Sequence, residues 1–254
     1  MTAQWIKEVT VSCRASGNDY LDLIVDQAGL DFSVITTVNA LSVQWQSLYQ
    51  GLPEQFIVDD APLLVRINVE DPLQVQWLQE ISQQVTESAP LLLLCSLWSF
   101  SGLANWLTAC VDILHEGRGG IFRFYDTRLF PLLFTHILTD EQQHALLQPV
   151  LFWAWRDMDG NSAGIKGMAT AQLRGALPKK IELNDAQFED LMCICDVMML
   201  LSHRSPPEGK YSCRQRLFAD CYQGMLEATK QGIITGDARE AWVIKKWQSE
   251  DPSQ

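Results

Sequence analysis

The sequence lacks the short signatures that mark most enzymes. It has no Gly-x-Ser-x-Gly elbow, no phosphate-cradling P-loop and no Gly-x-Gly-x-x-Gly after a strand. Its four histidines, His115, His136, His144 and His203, include no i, i+4 pair, so the helical zinc motif is absent. The seven cysteines are odd in number and repeat no spacing. Cys193 and Cys195 fall in a helical pattern, where their side chains diverge by roughly 200°, poor geometry for a shared metal. Free thiols in apolar runs fit a reducing compartment without disulfides. Residues 1–11 lack the apolar core of a secretory signal. No internal repeat or low-complexity tract is present.

Basic residues are scarce in the first half. Residues 1–120 carry four Lys or Arg against fourteen Asp or Glu, a balance of −10, whereas residues 121–254 carry fifteen against seventeen. A chain of net charge −12 disfavours nucleic acid and anionic lipid and suits a partner with a basic patch. The uncharged run Ser88–Val111 is long enough for a bilayer, but Pro90, Gly102, Asn105 and its serines fit a buried strand, 91–96, followed by a helix, about 100–114. No catalytic, cofactor or metal residue is assigned. The acid pairs Asp59/Asp60 and Asp157/Asp159 flank turn signals, where Asp bonds its own backbone.

The chain reads as α/β: a mixed, partly parallel sheet with flanking helices in an N-terminal lobe, residues 1–160, and a smaller all-helical C-terminal lobe, residues 184–254. Residues 161–183 join them, and 157–167, with three glycines, reads as a loop. Strands are expected at 20–26, 32–36, 63–67, 91–96 and 150–155, and a helix at 38–50 with Leu41, Trp45 and Leu48 on its stripe. Asp71 with Pro72 opens another helix. Gly117-Arg118-Gly119-Gly120 reads as a tight loop. It leads into a strand, Ile121-Phe122-Arg123-Phe124-Tyr125, with Phe122 and Phe124 on one face and Arg123 and Tyr125 on the other. Asp126 stands at an N-cap position, and Pro131 is late for a helix begun at Thr127. Capping-box patterns at Thr139/Gln142, Asn184/Gln187 and Asp237/Glu240 open three further helices. The stripe Phe188, Leu191, Met192, Cys195, Met198, Met199 reads as core, and residues 248–254 as a frayed end.

Arg123 either pairs with Asp126 or another acid, or meets a partner. The stretch Ile121–Phe130 resembles the "fRfyDPr" element of the adaptor-chaperone family of the bacterial type VI secretion system. Tyr20–Ala28 resembles that family's opening strand, which ends in an Asp. Ser47–Gly51 and Ala61–Val65 resemble its "Lf.G" and "aPyLv" segments, and Val150–Trp153 the close of the domain. The resemblance covers roughly residues 18–157. Thr127 departs from it, standing where the family has Pro, and Asn105–Thr108 lacks the His and Arg often found there. The resemblance implies a non-enzymatic, cytoplasmic protein without cofactor. Such a protein binds a toxic effector and loads it onto a VgrG-type spike protein, without nucleic acid or membrane. It makes Arg123, Tyr125, Asp126 and Arg128 the candidate partner-binding residues. An immunity-type toxin binder, or a hydrolase with an unrecognised site, is the alternative.

Overall fold

The computed structural model describes residues 2–28, 30–85 and 91–249. The chain forms two compact units, residues 1–182 and 183–254. The first unit is mixed α/β and the second is helical. In chain order the first unit runs α1 (Thr2–Ala15), β1 (Tyr20–Asp26), α2 (Val34–Ala40), β2 (Gln44–Ser47), β3 (Pro62–Asn68) and α3 (Pro72–Gln84). It continues with β4 (Leu91–Cys95), α4 (Phe100–Val111), β5 (Asp112–His115), β6 (Arg118–Ile121), a short α5 (Phe130–Leu132), α6 (Asp140–Leu147), β7 (Phe152–Arg156) and β8 (Ser162–Lys166). The two-residue strand β9 (Glu182–Leu183) precedes α7 (Asp185–His203), α8 (Arg214–Lys230) and α9 (Gly236–Ser249).

The main sheet has the order β2-β3-β1-β4-β7-β8, and all five of its pairings are antiparallel. The expected parallel part is therefore corrected. Strands β3 and β4, on either side of α3, do run parallel to each other, as alternating strands and helices imply. But β1 lies between them and pairs antiparallel with both. One face of the sheet presents Leu21, Leu23, Val25, Leu63, Val65, Leu91 and Leu93, packed in one core with Trp5, Ile6, Val9 and Cys13 of α1 and Trp77, Leu78 and Ile81 of α3. The other face carries Ile24, Leu64, Leu92, Leu94 and Trp153, also buried. A strand covered on both faces can be apolar at every position, as Leu91–Cys95 is.

Several local expectations change. Residues 32–36 are not a strand, and 38–50 is not a helix. Ser33 is extended, α2 spans Val34–Ala40, and Ser42 at φ 53 ends it. Trp45 then sits opposite Val65 in a sheet-edge strand. Its spacing from Leu41 and Leu48 mimics a helical stripe. The helix at 100 ends at Val111, because Asp112–His115 pairs with Arg118–Ile121 around a turn whose two central residues, Glu116 and Gly117, both have positive φ. Residues 157–167 form a hairpin: the Asp157 carboxylate accepts from the Asp159 and Asn161 N–H groups at 2.9 and 2.8 Å, and Ser162–Lys166 pairs with β7. Pro131 lies in the first turn of α5, which runs directly into a π-helical turn, Leu133–Ile137.

The helix-start reading holds at Asp71, Thr139 and Asn184. The side chains of Thr139 and Asn184 close reciprocal capping boxes with Gln142 and Gln187. At the third site α9 begins at Gly236, with Asp237 in its first turn. Within the second unit the buried stripe of α7 is rotated from the expected one. Cys193, Ile194, Val197 and Leu200 are buried, whereas Met192 and Met199 are exposed. The cause is Asp196, a buried acid that a hydrophobicity pattern places outside; Arg239 of α9 meets it at 2.7 Å. Helix α9 is described to Ser249; the rest of the end expected to fray lies outside the described residues. No helix among the described residues is long and apolar enough to cross a membrane.

Candidate functional site

The segment after β6 is not a strand. Residues 122 and 123 are irregular and 124–125 lie in a turn. Strand alternation is therefore lost, and Phe122, Phe124 and Tyr125 are all buried. Phe124 meets Trp153 edge-on at a centroid distance of 6.3 Å, and Phe130 lies 5.1 Å from Trp153 and 5.2 Å from Trp155. These aromatic contacts hold the segment on the Trp153 face of the main sheet and fix the polar side chains among them.

Arg123, half-exposed at 45%, reaches back to Asp26, the last residue of β1, which is 1% exposed. Its acid partner is thus Asp26 rather than Asp126. The Ala28 N–H also donates to the Asp26 carboxylate, at 3.2 Å. Burial pushes the Asp26 carboxyl above its usual range, and the Arg123 charge and hydrogen bond offset part of that. For Arg123, burial works downward, but Asp26, then Tyr125 and Asp126, raise its value on balance.

The Tyr125 hydroxyl lies 3.3 Å from the Tyr49 hydroxyl, and both rings are buried. Burial, reinforced by the Tyr49 hydroxyl, pushes the Tyr125 phenol far up, so it stays neutral. Asp126, also buried, accepts from Nε and Nη2 of Arg128 at 2.9 and 2.6 Å and from the Arg128 N–H at 3.0 Å. Its carbonyl accepts from Leu129 and Phe130 at 3.0 and 2.7 Å. Asp126 therefore closes a turn and clamps Arg128 instead of capping a helix. That bidentate bond is the main reason the Arg128 value rises, with burial opposing it.

The four candidate residues thus form two ion pairs and one hydroxyl pair. Sequence reasoning missed two of the partners, Asp26 and Tyr49, as site residues. Both stand in segments that carry the family resemblance. Gln27, next to Asp26, adds a third link: its Nε2 donates to Ala61 O at 2.8 Å and to Val58 O at 3.0 Å. Asp26 itself pairs with Pro62 across the sheet. Four segments far apart in sequence meet at one end of β1 and β3.

Each carboxylate of the cluster is paired with an arginine, and burial keeps the Tyr125 phenol neutral. A separate cavity of about 500 Å³ is lined by Gln50, Leu52, Trp98, Asn105 and Gln172 among others, and the Asp112 carboxylate on its wall is bonded to Lys180 at 2.6 Å. Among the described residues no group of three or more His, Cys, Asp or Glu could hold a metal ion.

Residues 23–145 match the family model described as "Domain of unknown function (DUF4123)". No curated protein and no solved structure matches the chain.

Proposed function

We propose that this protein is a non-enzymatic adaptor that binds a toxic effector in the cytoplasm and delivers it to a VgrG-type spike protein of a type VI secretion system. One observation carries this reading. The matched span, 23–145, falls inside the span whose short elements resemble that adaptor family, and four of those elements converge around Asp26, Tyr49, Ala61 and Arg123. Elements that are weak one by one in the sequence hold one another in the fold.

In this reading the two arginine–carboxylate pairs position the partner-binding surface more than they form it. Arg123 and Arg128, the partly exposed members, present their free edges to the partner. Tyr125 and Asp126 fix where those edges lie.

The test is a tagged pull-down from the native bacterium, read by mass spectrometry. Recovery of one toxin-like protein together with a spike protein is the expected result. Toxin without spike, in a 1:1 complex that blocks toxin activity, would replace the adaptor with an immunity-type binder. Recovery of neither, from cells shown to express the secretion system, would overturn both readings.

A further inference from the structure

A small three-stranded sheet has the order β6-β5-β9, so β6 is an edge strand of it. We propose that this edge, Arg118–Ile121, takes up an extended segment of the partner as an added strand. The inference rests on the adaptor reading for the identity of that partner.

The hairpin turn fixes which backbone groups are free. In a two-residue hairpin the flanking residues, His115 and Arg118, are a bonded pair, and bonded and non-bonded pairs then alternate. Ile113/Gly120 is the next bonded pair, and the Phe122 N–H, donating to Val111 O at 2.8 Å, continues the series. In the other pairs, Leu114/Gly119 and Asp112/Ile121, the N–H and C=O groups point away from the hairpin. On the β5 side this outward group is used: the Leu114 N–H donates to Ile181 O at 2.9 Å. On the β6 side, among the described residues, nothing bonds the outward groups of Gly119 and Ile121.

Two N–H and C=O sets on alternate residues of a strand, roughly 6.6 Å apart, match another extended polypeptide and little else. Such edges are commonly blocked by proline, a bulge or a covering loop. Here Arg118, Gly119 and Gly120 are exposed, and a Cβ on either glycine would meet nothing within 4 Å. An incoming strand can approach closely. Bare glycines favour an aromatic or β-branched residue across from them, which restores the missing packing. Arg118 has no acid partner among the described residues, so a carboxylate across from it completes a cross-strand pair. The occupant is therefore an extended client segment with an aromatic or β-branched residue facing the glycines and an Asp or Glu opposite Arg118.

Gly119→Pro isolates the outward N–H. Proline is tolerated on an edge strand where the N–H faces solvent, and the ladder N–H groups of Arg118 and Gly120 remain. Gln83→Ala is the control, since it trims an exposed side chain of α3 and leaves the edge untouched. Tagged full-length wild type and both variants are pulled down from the native bacterium, and hydrogen exchange is followed on the recovered complex. Wild type and Gln83→Ala recover the same effector, and the Gly119 and Ile121 amides become protected only in the complex. Gly119→Pro recovers about tenfold less with an unchanged unfolding midpoint.

Equal recovery by Gly119→Pro, or unprotected amides in the complex, overturns the edge while leaving the adaptor intact. Concentration-dependent protection of those amides in the protein alone assigns the edge to a second copy of this chain and overturns client docking there. Failure of the wild type to recover any effector removes the adaptor reading and this inference with it. Should Gly119→Pro unfold, Arg118→Glu decides. Recovery several-fold below wild type supports the edge, and equal recovery overturns it.

Discussion

Arg123 and Asp26 stand 97 residues apart in the chain and form an ion pair at the end of β1. The acid is buried and the arginine half-exposed, so removing either side has different consequences. Arg123→Ala leaves a buried carboxylate that, among the described residues, keeps only the Ala28 N–H. The expected cost is about 1.5–3 kcal/mol at neutral pH, the range for a hydrogen bond to a charged group. The pH dependence follows from the raised Asp26 value. An acid that holds its proton more tightly when folded contributes stability at low pH, and that contribution is lost as pH rises through the folded value. Without Arg123 the Asp26 value climbs further, so the deficit of the variant is larger at pH 8 than at pH 5. Urea unfolding of both proteins at the two pH values measures this. An equal deficit at both would show that Asp26 is not the group concerned.

Much of the fold was legible because it rests on short-range chemistry. The caps at Asp71, Thr139 and Asn184 and the wholly apolar Leu91–Cys95 strand follow from local rules. What escaped depended on distant partners. The edge strand at Trp45 became visible only through β3, the hairpin at Glu116-Gly117 only through pairing, and the burial of Asp196 only through Arg239. The site divided in the same way. The candidate residues were found from one motif, but alternation failed as soon as Phe122, Phe124 and Tyr125 all turned inward. Asp26 carries no local sign that its partner is Arg123.

Asp22 and Arg66 form the more deeply buried ion pair, with bonds of 2.8 and 2.7 Å. Arg66 also donates to Trp98 O at 3.1 Å and lies over the rings of Tyr20 and Phe100. Burial pushes the Asp22 carboxyl up, and Arg66 offsets part of it. Arg66→Ala strands a carboxylate with no exposed surface, so about 3–5 kcal/mol is expected. That exceeds the cost of Arg123→Ala. The double variant Asp22→Leu/Arg66→Met is expected to recover most of the loss, because it removes both charges and keeps apolar volume. Denaturant unfolding orders the three; a double variant as unstable as Arg66→Ala would contradict the stranded-charge account.

Gly167 and Gly102 separate a rigid contact from a soft one. A Cβ on Gly167 would lie 2.0 Å from Val150 O, a backbone atom. On Gly102 it would lie 1.6 Å from the Gln172 side-chain amide, which can swing away. Gly167→Ala is expected to cost about 1–3 kcal/mol through forced backbone displacement. Gly102→Ala should cost less than that. It releases only the bonds that the Ser99 N–H and hydroxyl donate to Gln172, at 2.9 and 3.0 Å. Thermal unfolding of the two variants tests the order, and a reversal would place rigid structure at Gln172 instead.

The helical unit turns on Arg239, which is 2% exposed and donates to Asp196 at 2.7 Å, Glu189 at 2.5 Å and Ile233 O at 3.3 Å. One side chain thus ties the start of α9 to two turns of α7 and to the segment after α8. Its removal leaves Asp196 buried beside Gly236, whose Cβ position is already 3.0 Å from the Asp196 carboxylate. Arg239→Ala is expected to cost about 3–5 kcal/mol. The loss should appear first as faster amide exchange in α7 and α9, with the amides of β1, β3 and β4 unchanged at low denaturant. Arg239→Ala/Asp196→Ala should regain part of the stability, since the stranded carboxylate is gone. Hydrogen exchange by mass spectrometry on the full-length chain resolves the two units. Equal acceleration in the sheet and the helices would mean that the units unfold as one.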